Sequence, residues 1–171
     1  QSSFAKYRVT GADSEMVLSR ICSNNVAKPE GTITYTQMLN SKGGIESDLT
    51  VTRLKQNCFL FVVPATTLVR DISWLSRHTE NFNIVVTDVT SSEAVLALMG
   101  PNSRKLLSDI SPNKFDNKNH SFGLAKEIEI GYGLARAHRI SYVGELGWEL
   151  YVSSEQACHV FETIREAGKK Y

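Results

Sequence analysis

Apolar residues recur at two different spacings along this chain. Alternation with a period of two marks half-buried strands, and recurrence at three and four marks helices with one inward face. Residues 4–9 alternate and predict a strand. Residues 13–22 place Met16, Val17 and Ile21 on one helical face, with Asp13 as the N-cap. Residues 32–39 and 45–54 are rich in Thr, Val, Ile and Leu and flank a turn cluster at 40–44, which predicts a hairpin. The continuous apolar run 59–63 predicts a buried strand, ended by Pro64. A helix follows over 67–78, then strands at 83–89 and 94–99, and a helix over 103–110. Residues 111–120 are polar and read as a surface loop. Strands at 126–130, 134–141 and 148–152 precede a last amphipathic helix over 154–168. The resulting fold class is α+β, mainly antiparallel sheet hairpins with inserted helices, rather than a doubly wound βαβ series.

A length of 171 residues fits one domain able to bury its own core. Nineteen basic and 18 acidic residues leave a net charge of +1, which recommends neither nucleic acid nor an acidic membrane surface as partner. No apolar stretch is long enough to span a bilayer, and no signal or transit peptide is visible. The chain opens directly on a strand and closes inside a helix, so a larger parent protein is expected. Cys22, Cys58 and Cys158 lack metal-ligand or disulfide spacing and are expected to be buried free thiols. His78, His120, His138 and His159 also lack ligand spacing, so no metal is expected, and all four read as structural or solvated. Neither GxGxxG nor a Walker lysine motif is present.

Two hairpins bring acids into view. With a loop at 40–43, Leu39 faces Gly44 and Tyr35 lies directly opposite Asp48. With a loop at 144–147, Val143 faces Trp148 and Tyr142 lies opposite Glu149. A carboxylate is an acceptor-only group that matches a planar heterocycle edge with two adjacent donors, as on a pterin. A neighbouring tyrosine supplies contact to the same flat ring. Such pairs also occur on ordinary sheet faces, and a one-residue slip would separate each pair.

At these residues the chain is similar to a known family. TYTQMLNSKGGIESDLTVTRL (34–54), LALMGPNSRKLL (96–107) and RISYVGELGWELYV (139–152) resemble the aminomethyltransferases, which include the glycine cleavage T-protein. The wording looks closest to the folate-binding halves of dimethylglycine and sarcosine dehydrogenases. The resemblance implies one folate-binding domain over residues 1–171, tetrahydrofolate as acceptor, and 5,10-methylenetetrahydrofolate as product. It implies Asp48 as the catalytic acid, Glu149 as the group that holds the pterin edge, and Tyr142 and Tyr35 as folate-contacting tyrosines. It also implies a backbone contact from Val62.

The implied carbon donor is an iminium made by an FAD-bearing flavin domain, or an aminomethyl group on a lipoyl carrier protein. The setting would be bacterial cytoplasm or the mitochondrial matrix. A non-catalytic, folate-sensing or regulatory member is the third alternative. Two departures stand out. Pro64 replaces an asparagine common after the buried strand, and Ser47-Asp48 stands where many T-proteins carry Asp-Asp. The family's folate-tail arginine and C-terminal barrel are expected beyond Tyr171.

Overall fold

The computed structural model describes residues 3–171. They form two compact units, Ser3–Thr90 and Ser91–Tyr171, each with its own sheet, helices and core.

The first unit is a five-stranded antiparallel sheet. Its strands are β1 (Phe4–Thr10), β2 (Ile33–Leu39), β3 (Ile45–Lys55), β4 (Cys58–Pro64) and β5 (Val85–Asp88), in the order β2-β3-β4-β1-β5. Alternation sends Ala5, Tyr7, Val9, Leu49, Val51, Phe59, Phe61 and Val63 into one core. Helix α1 (Ser14–Ile21) adds Leu18 and Ile21 to that core, and helix α2 (Leu68–Thr79) adds Trp74 and Leu75. Asp13 precedes α1 but makes no side-chain cap. Its Oδ2 instead accepts from the Asn83 backbone N–H at 2.8 Å. That contact ties the start of α1 to the chain before β5, where Gly11 leaves no room for a Cβ against the Asn83 carbonyl.

The β2–β3 hairpin corrects the expected register. Its loop is one residue longer than four, so Leu39 faces Ile45 rather than Gly44. A bulge then skips Glu46, and Met38 faces Ser47. Gln37 therefore lies opposite Asp48, and Tyr35 lies opposite Thr50. The two slips sum to an even shift, so Tyr35 and Asp48 keep the same sheet face. Asn40 builds the loop: its Oδ1 accepts from the backbone N–H groups of Lys42 (3.0 Å) and Gly44 (2.9 Å). Its Nδ2 donates to Glu46 at 2.9 Å, beside Gly43 in the left-handed region.

The second unit is a four-stranded sheet in the order β6-β9-β8-β7. Its strands are β6 (Glu93–Met99), β7 (Ala125–Ile130), β8 (Gly133–His138) and β9 (Gly147–Ser153). One face carries Ile128, Ile130, Ala135, Ala137, Trp148, Leu150 and Val152. It meets Leu107 of α3 (Ser103–Ile110) and Val160 of α4 (Ala157–Gly168).

The tight hairpin expected around Tyr142 and Glu149 does not form; β8 and β9 pair antiparallel, but across a longer loop and in another register. β8 ends at His138, and His138, not Tyr142, lies opposite Glu149. Beyond it the Arg139 N–H bonds the Leu124 carbonyl and the Ile140 N–H bonds the His138 carbonyl, so the strand does not continue. β9 is central, held along its whole length by β6. At its start Gly147 lies so close to β6 that a Cβ would sit 2.7 Å from the Leu98 carbonyl oxygen.

Two smaller expectations also change. The polar segment 111–120 contains buried Phe115 and His120, which pack with Trp148. Of the cysteines, all free, Cys22 is buried but Cys158 is exposed.

Candidate functional site

The first unit presents Asp48 on the solvent side of the β2–β3 hairpin. Tyr35 Oη donates to its Oδ2 at 2.8 Å, and Gln37 Nε2 donates to its Oδ1 at 2.9 Å. Tyr35 reaches Asp48 along the diagonal of the ladder, which a long side chain spans. The expected Tyr–Asp pair therefore exists, and the residue squarely opposite the acid is Gln37, which the sequence reading passed over. Its signal was available: Gln37 shares Tyr35's face by the period of two.

Ser47 points to the other face. It is buried, and its Oγ donates to Asp71 Oδ2 at 3.0 Å. Thr67 Oγ1 donates to the same oxygen at 2.5 Å, and Arg70 Nε pairs with Asp71 Oδ1 at 3.3 Å. Asp71 is buried in the first turn of α2, so β3 is pinned to that helix one residue before Asp48. A second aspartate at position 47 would set a carboxylate against a buried carboxylate, which accounts for serine there.

Val62 is buried in mid-sheet β4, with Thr50 on one side and Lys6 on the other. It lies two strands from Tyr35 in the row Tyr35–Thr50–Val62.

The second unit holds Glu149 in its central strand, 6% exposed, between Ala97 of β6 and His138 of β8. Tyr151 Oη donates to Glu149 Oε2 at 2.8 Å. Among the described residues no partner engages Oε1. Burial raises the Glu149 carboxyl above its ordinary range, and the Tyr151 hydrogen bond opposes that shift. Tyr151 is itself buried, and its hydroxyl is pushed well up by burial and by the neighbouring Glu149 charge.

Around this pair lies a polar cluster that sequence reasoning missed. The His138 ring lies 4.2 Å from the Tyr151 ring, and the Arg136 guanidinium covers the Tyr151 ring at 5.4 Å. Arg136 also pairs with Glu93 at 2.7 Å. Arg136 Nε donates to His138 Nε2 at 3.2 Å. Arginine only donates, so Nε2 is the acceptor and the neutral ring carries its proton on Nδ1. That Nδ1 is buried without a partner among the described residues. Burial, then Arg136 and His120, hold the imidazole well below its ordinary pKa, so it stays neutral.

Tyr142 lies outside this cluster, 87% exposed on the loop between β8 and β9. Gly144 in that loop takes a left-handed turn at φ 78°. Among the described residues no group of His, Cys, Asp and Glu is arranged to hold a metal, and no helix is long and apolar enough to cross a membrane.

The chain can be set beside known proteins. It is 37% identical over 98% of its length to 4-methylaminobutanoate oxidase (formaldehyde-forming) of Paenarthrobacter nicotinovorans, of which it spans 20%. It is 30% identical over 99% of its length to mouse mitochondrial sarcosine dehydrogenase, again spanning 20% of that protein. Its backbone matches the crystal structure of glycine cleavage system aminomethyltransferase T from Bartonella henselae with a TM-score of 0.81 at 25% identity. That match covers 95% of this chain and 43% of the other. The chain thus spans about a fifth of these curated relatives. The likeness bears out both the expected α+β class and the aminomethyltransferase resemblance. The family model described as GCVT N-terminal domain matches residues 1–171, and the chain belongs to that family.

Proposed function

We propose that this chain is the folate-binding domain of a longer enzyme. It receives a one-carbon unit from an iminium derived from an N-methyl amine and yields 5,10-methylenetetrahydrofolate. The observation that carries the reading is Glu149, a buried carboxylate with one oxygen anchored by Tyr151 and the other unengaged. That acceptor fits a pterin, whose 2-amino group and N3–H are adjacent donors seeking an acceptor-only group. Tyr142, on the exposed loop of the same unit, supplies contact to the flat ring.

Asp48, in the first unit, handles the proton, with Tyr35 and Val62 as the folate contacts there. When N5 and N10 each bond to the incoming carbon, tetrahydrofolate loses two N–H protons. One ends on the amine as its bond to that carbon breaks, and the other is released. Asp48 accepts the proton from the reacting nitrogen and returns it to the departing amine. FAD, held by a further domain of the parent chain, would supply the oxidation that turns the N-methyl amine into the iminium. The bacterial cytoplasm or the mitochondrial matrix is the proposed setting.

A second reading is an aminomethyltransferase that takes its carbon from a lipoyl carrier protein, and the backbone match to aminomethyltransferase T favours it. The full-length protein separates the two. Sarcosine, dimethylglycine and 4-methylaminobutanoate are each supplied with tetrahydrofolate, and methylenetetrahydrofolate is measured. Product from one of these amines supports the first reading. Product only from an aminomethyl-lipoyl carrier supports the second. Calorimetric titration showing no tetrahydrofolate binding at all sinks both.

A further inference from the structure

The position directly opposite Asp48 holds the tail of an ordered hydrogen-bond relay. Asp48 Oδ1 only accepts, so the Gln37 amide must turn its NH₂ toward it, at 2.9 Å. The amide oxygen then faces away and needs a donor. Ser23 Oγ supplies one at 3.1 Å from the segment after α1. That hydroxyl has a single proton and spends it on Gln37, so toward Thr36 Oγ1 at 3.2 Å it can only accept, and Thr36 shares its own proton between Ser23 and the Gln37 carbonyl at 3.5 Å. Thr36 Oγ1 in turn accepts from the Asn24 N–H at 3.0 Å. Backbone bonds hold the segment in place: the Ser23 N–H donates to the Gln37 carbonyl at 2.8 Å, and Cys22 bridges Met38. The directed part of the chain runs from Ser23 to Gln37 to Asp48, and such chains polarise one another.

We propose that Gln37 is a positioning residue for Asp48, with the Ser23 hydroxyl fixing which way its amide points. Tyr35 and Gln37 each bind one carboxylate oxygen, so rotation of the acid breaks at least one of the two bonds. A carboxylate restrained at both oxygens keeps its plane fixed relative to the sheet face, and a fixed orientation favours proton transfer to a bound partner. The proposal rests on the assignment of Asp48 to proton handling, and it adds that the segment after α1 controls that acid.

The test uses the full-length protein with tetrahydrofolate and whichever of sarcosine, dimethylglycine or 4-methylaminobutanoate supports turnover. It follows the carbon captured on folate and the carbon lost as formaldehyde. Gln37→Met keeps the length and removes the amide. It is expected to lower the capture rate by about tenfold, the scale of one lost hydrogen bond to a charged group. KM for tetrahydrofolate should stay within about twofold, because only the transferring acid is disturbed. Ser23→Ala should lower capture in the same direction by a smaller factor. Gln37→Glu should be as poor as Gln37→Met at neutral pH and recover relative to wild type on acidification. The introduced carboxyl, once protonated, again offers a donor to Asp48. The other titratable groups on this face are Tyr35 of β2 and Glu46 of β3. A merely structural Gln37 would not give that acid recovery. Wild-type capture by Gln37→Met overturns the positioning role alone. Wild-type protein that captures no carbon from any of the amines or from an aminomethyl-lipoyl carrier removes the role assigned to Asp48, and the proposal falls with it.

Discussion

The two acids of this chain are held by opposite means. Asp48 is exposed, on a hairpin next to the edge of its sheet, and two side-chain donors aim its oxygens. Glu149 is buried in the middle of its sheet and has one donor, Tyr151, so the surrounding walls fix it. The contrast suits different work. A hydrogen-bonded acid open to solvent can exchange a proton with whatever reaches it, at the cost of exposure to competing water. A carboxylate in a low-dielectric wall binds a matched pair of donors far more strongly than it would in water. On the proposed reading, Glu149 is accordingly suited to holding the pterin and Asp48 to carrying the proton.

The sharpest way to break that division is Asp48→Ala. Loss of a positioned acid–base group is expected to cut methylenetetrahydrofolate formation by about 10²- to 10³-fold. Because Asp48 is exposed, unfolding stability should move by no more than about 0.5 kcal/mol. Tetrahydrofolate affinity, read by calorimetry, should change little. Full product formation by the variant would remove Asp48 from the chemistry.

Glu149→Ala should show the reverse pattern. Tetrahydrofolate affinity is expected to fall by about tenfold to a hundredfold, the scale of losing hydrogen bonds to a charged acceptor. The protein itself should lose about 1–3 kcal/mol, because Tyr151 Oη is left buried without its acceptor. Unchanged affinity in this variant, with stability lowered as predicted, would make Glu149 a structural acid and nothing more.

Protonation sharpens the same contrast. Burial raises the Glu149 pKa above its ordinary value of 4.5. The folded state therefore takes up a proton more readily than the unfolded chain. Stability linked to this group is fully present below pH 4.5 and is lost as pH rises through the higher folded value. Chemical denaturation of wild type and Glu149→Gln across that range should show wild type losing stability relative to the variant as pH rises. Tetrahydrofolate binding should follow the opposite course, weakening as pH falls and Glu149 is neutralised, since a pterin edge needs the ionised acceptor. Parallel curves for wild type and variant would show that burial does not control this carboxylate.

Much of this arrangement was legible in the sequence, because alternation and helical spacing are local. The buried run in β4, the four helices and the antiparallel class all follow from patterns spanning a few residues. Tyr35 and Asp48 came together although their register was misjudged, because a loop residue and a bulge residue shifted the ladder twice. The Tyr142–Glu149 pair failed because the strand end is set by distant partners. Leu124 takes the Arg139 N–H, and β6 claims the start of β9. The cluster of Arg136, His138 and Tyr151 was illegible for a related reason. Each of those residues has an unremarkable local context, and their meeting depends on which strand stands beside β9.

Tyr142 is the smallest and most discriminating case, since its assignment came with a tight hairpin register that β8 and β9 do not adopt. Its ring is almost fully exposed on the loop after β8, so Tyr142→Ala should leave thermal stability unchanged within error. A ring that covers a bound pterin contributes about 0.5–1.5 kcal/mol, so the variant's tetrahydrofolate affinity should fall by roughly two- to tenfold. Tyr142→Phe should keep most of that affinity, because the contact is made by the ring face and not by the hydroxyl. If Ala, Phe and wild type bind alike, Tyr142 is a solvated loop residue. Glu149 would then hold the pterin with only the buried Tyr151 beside it.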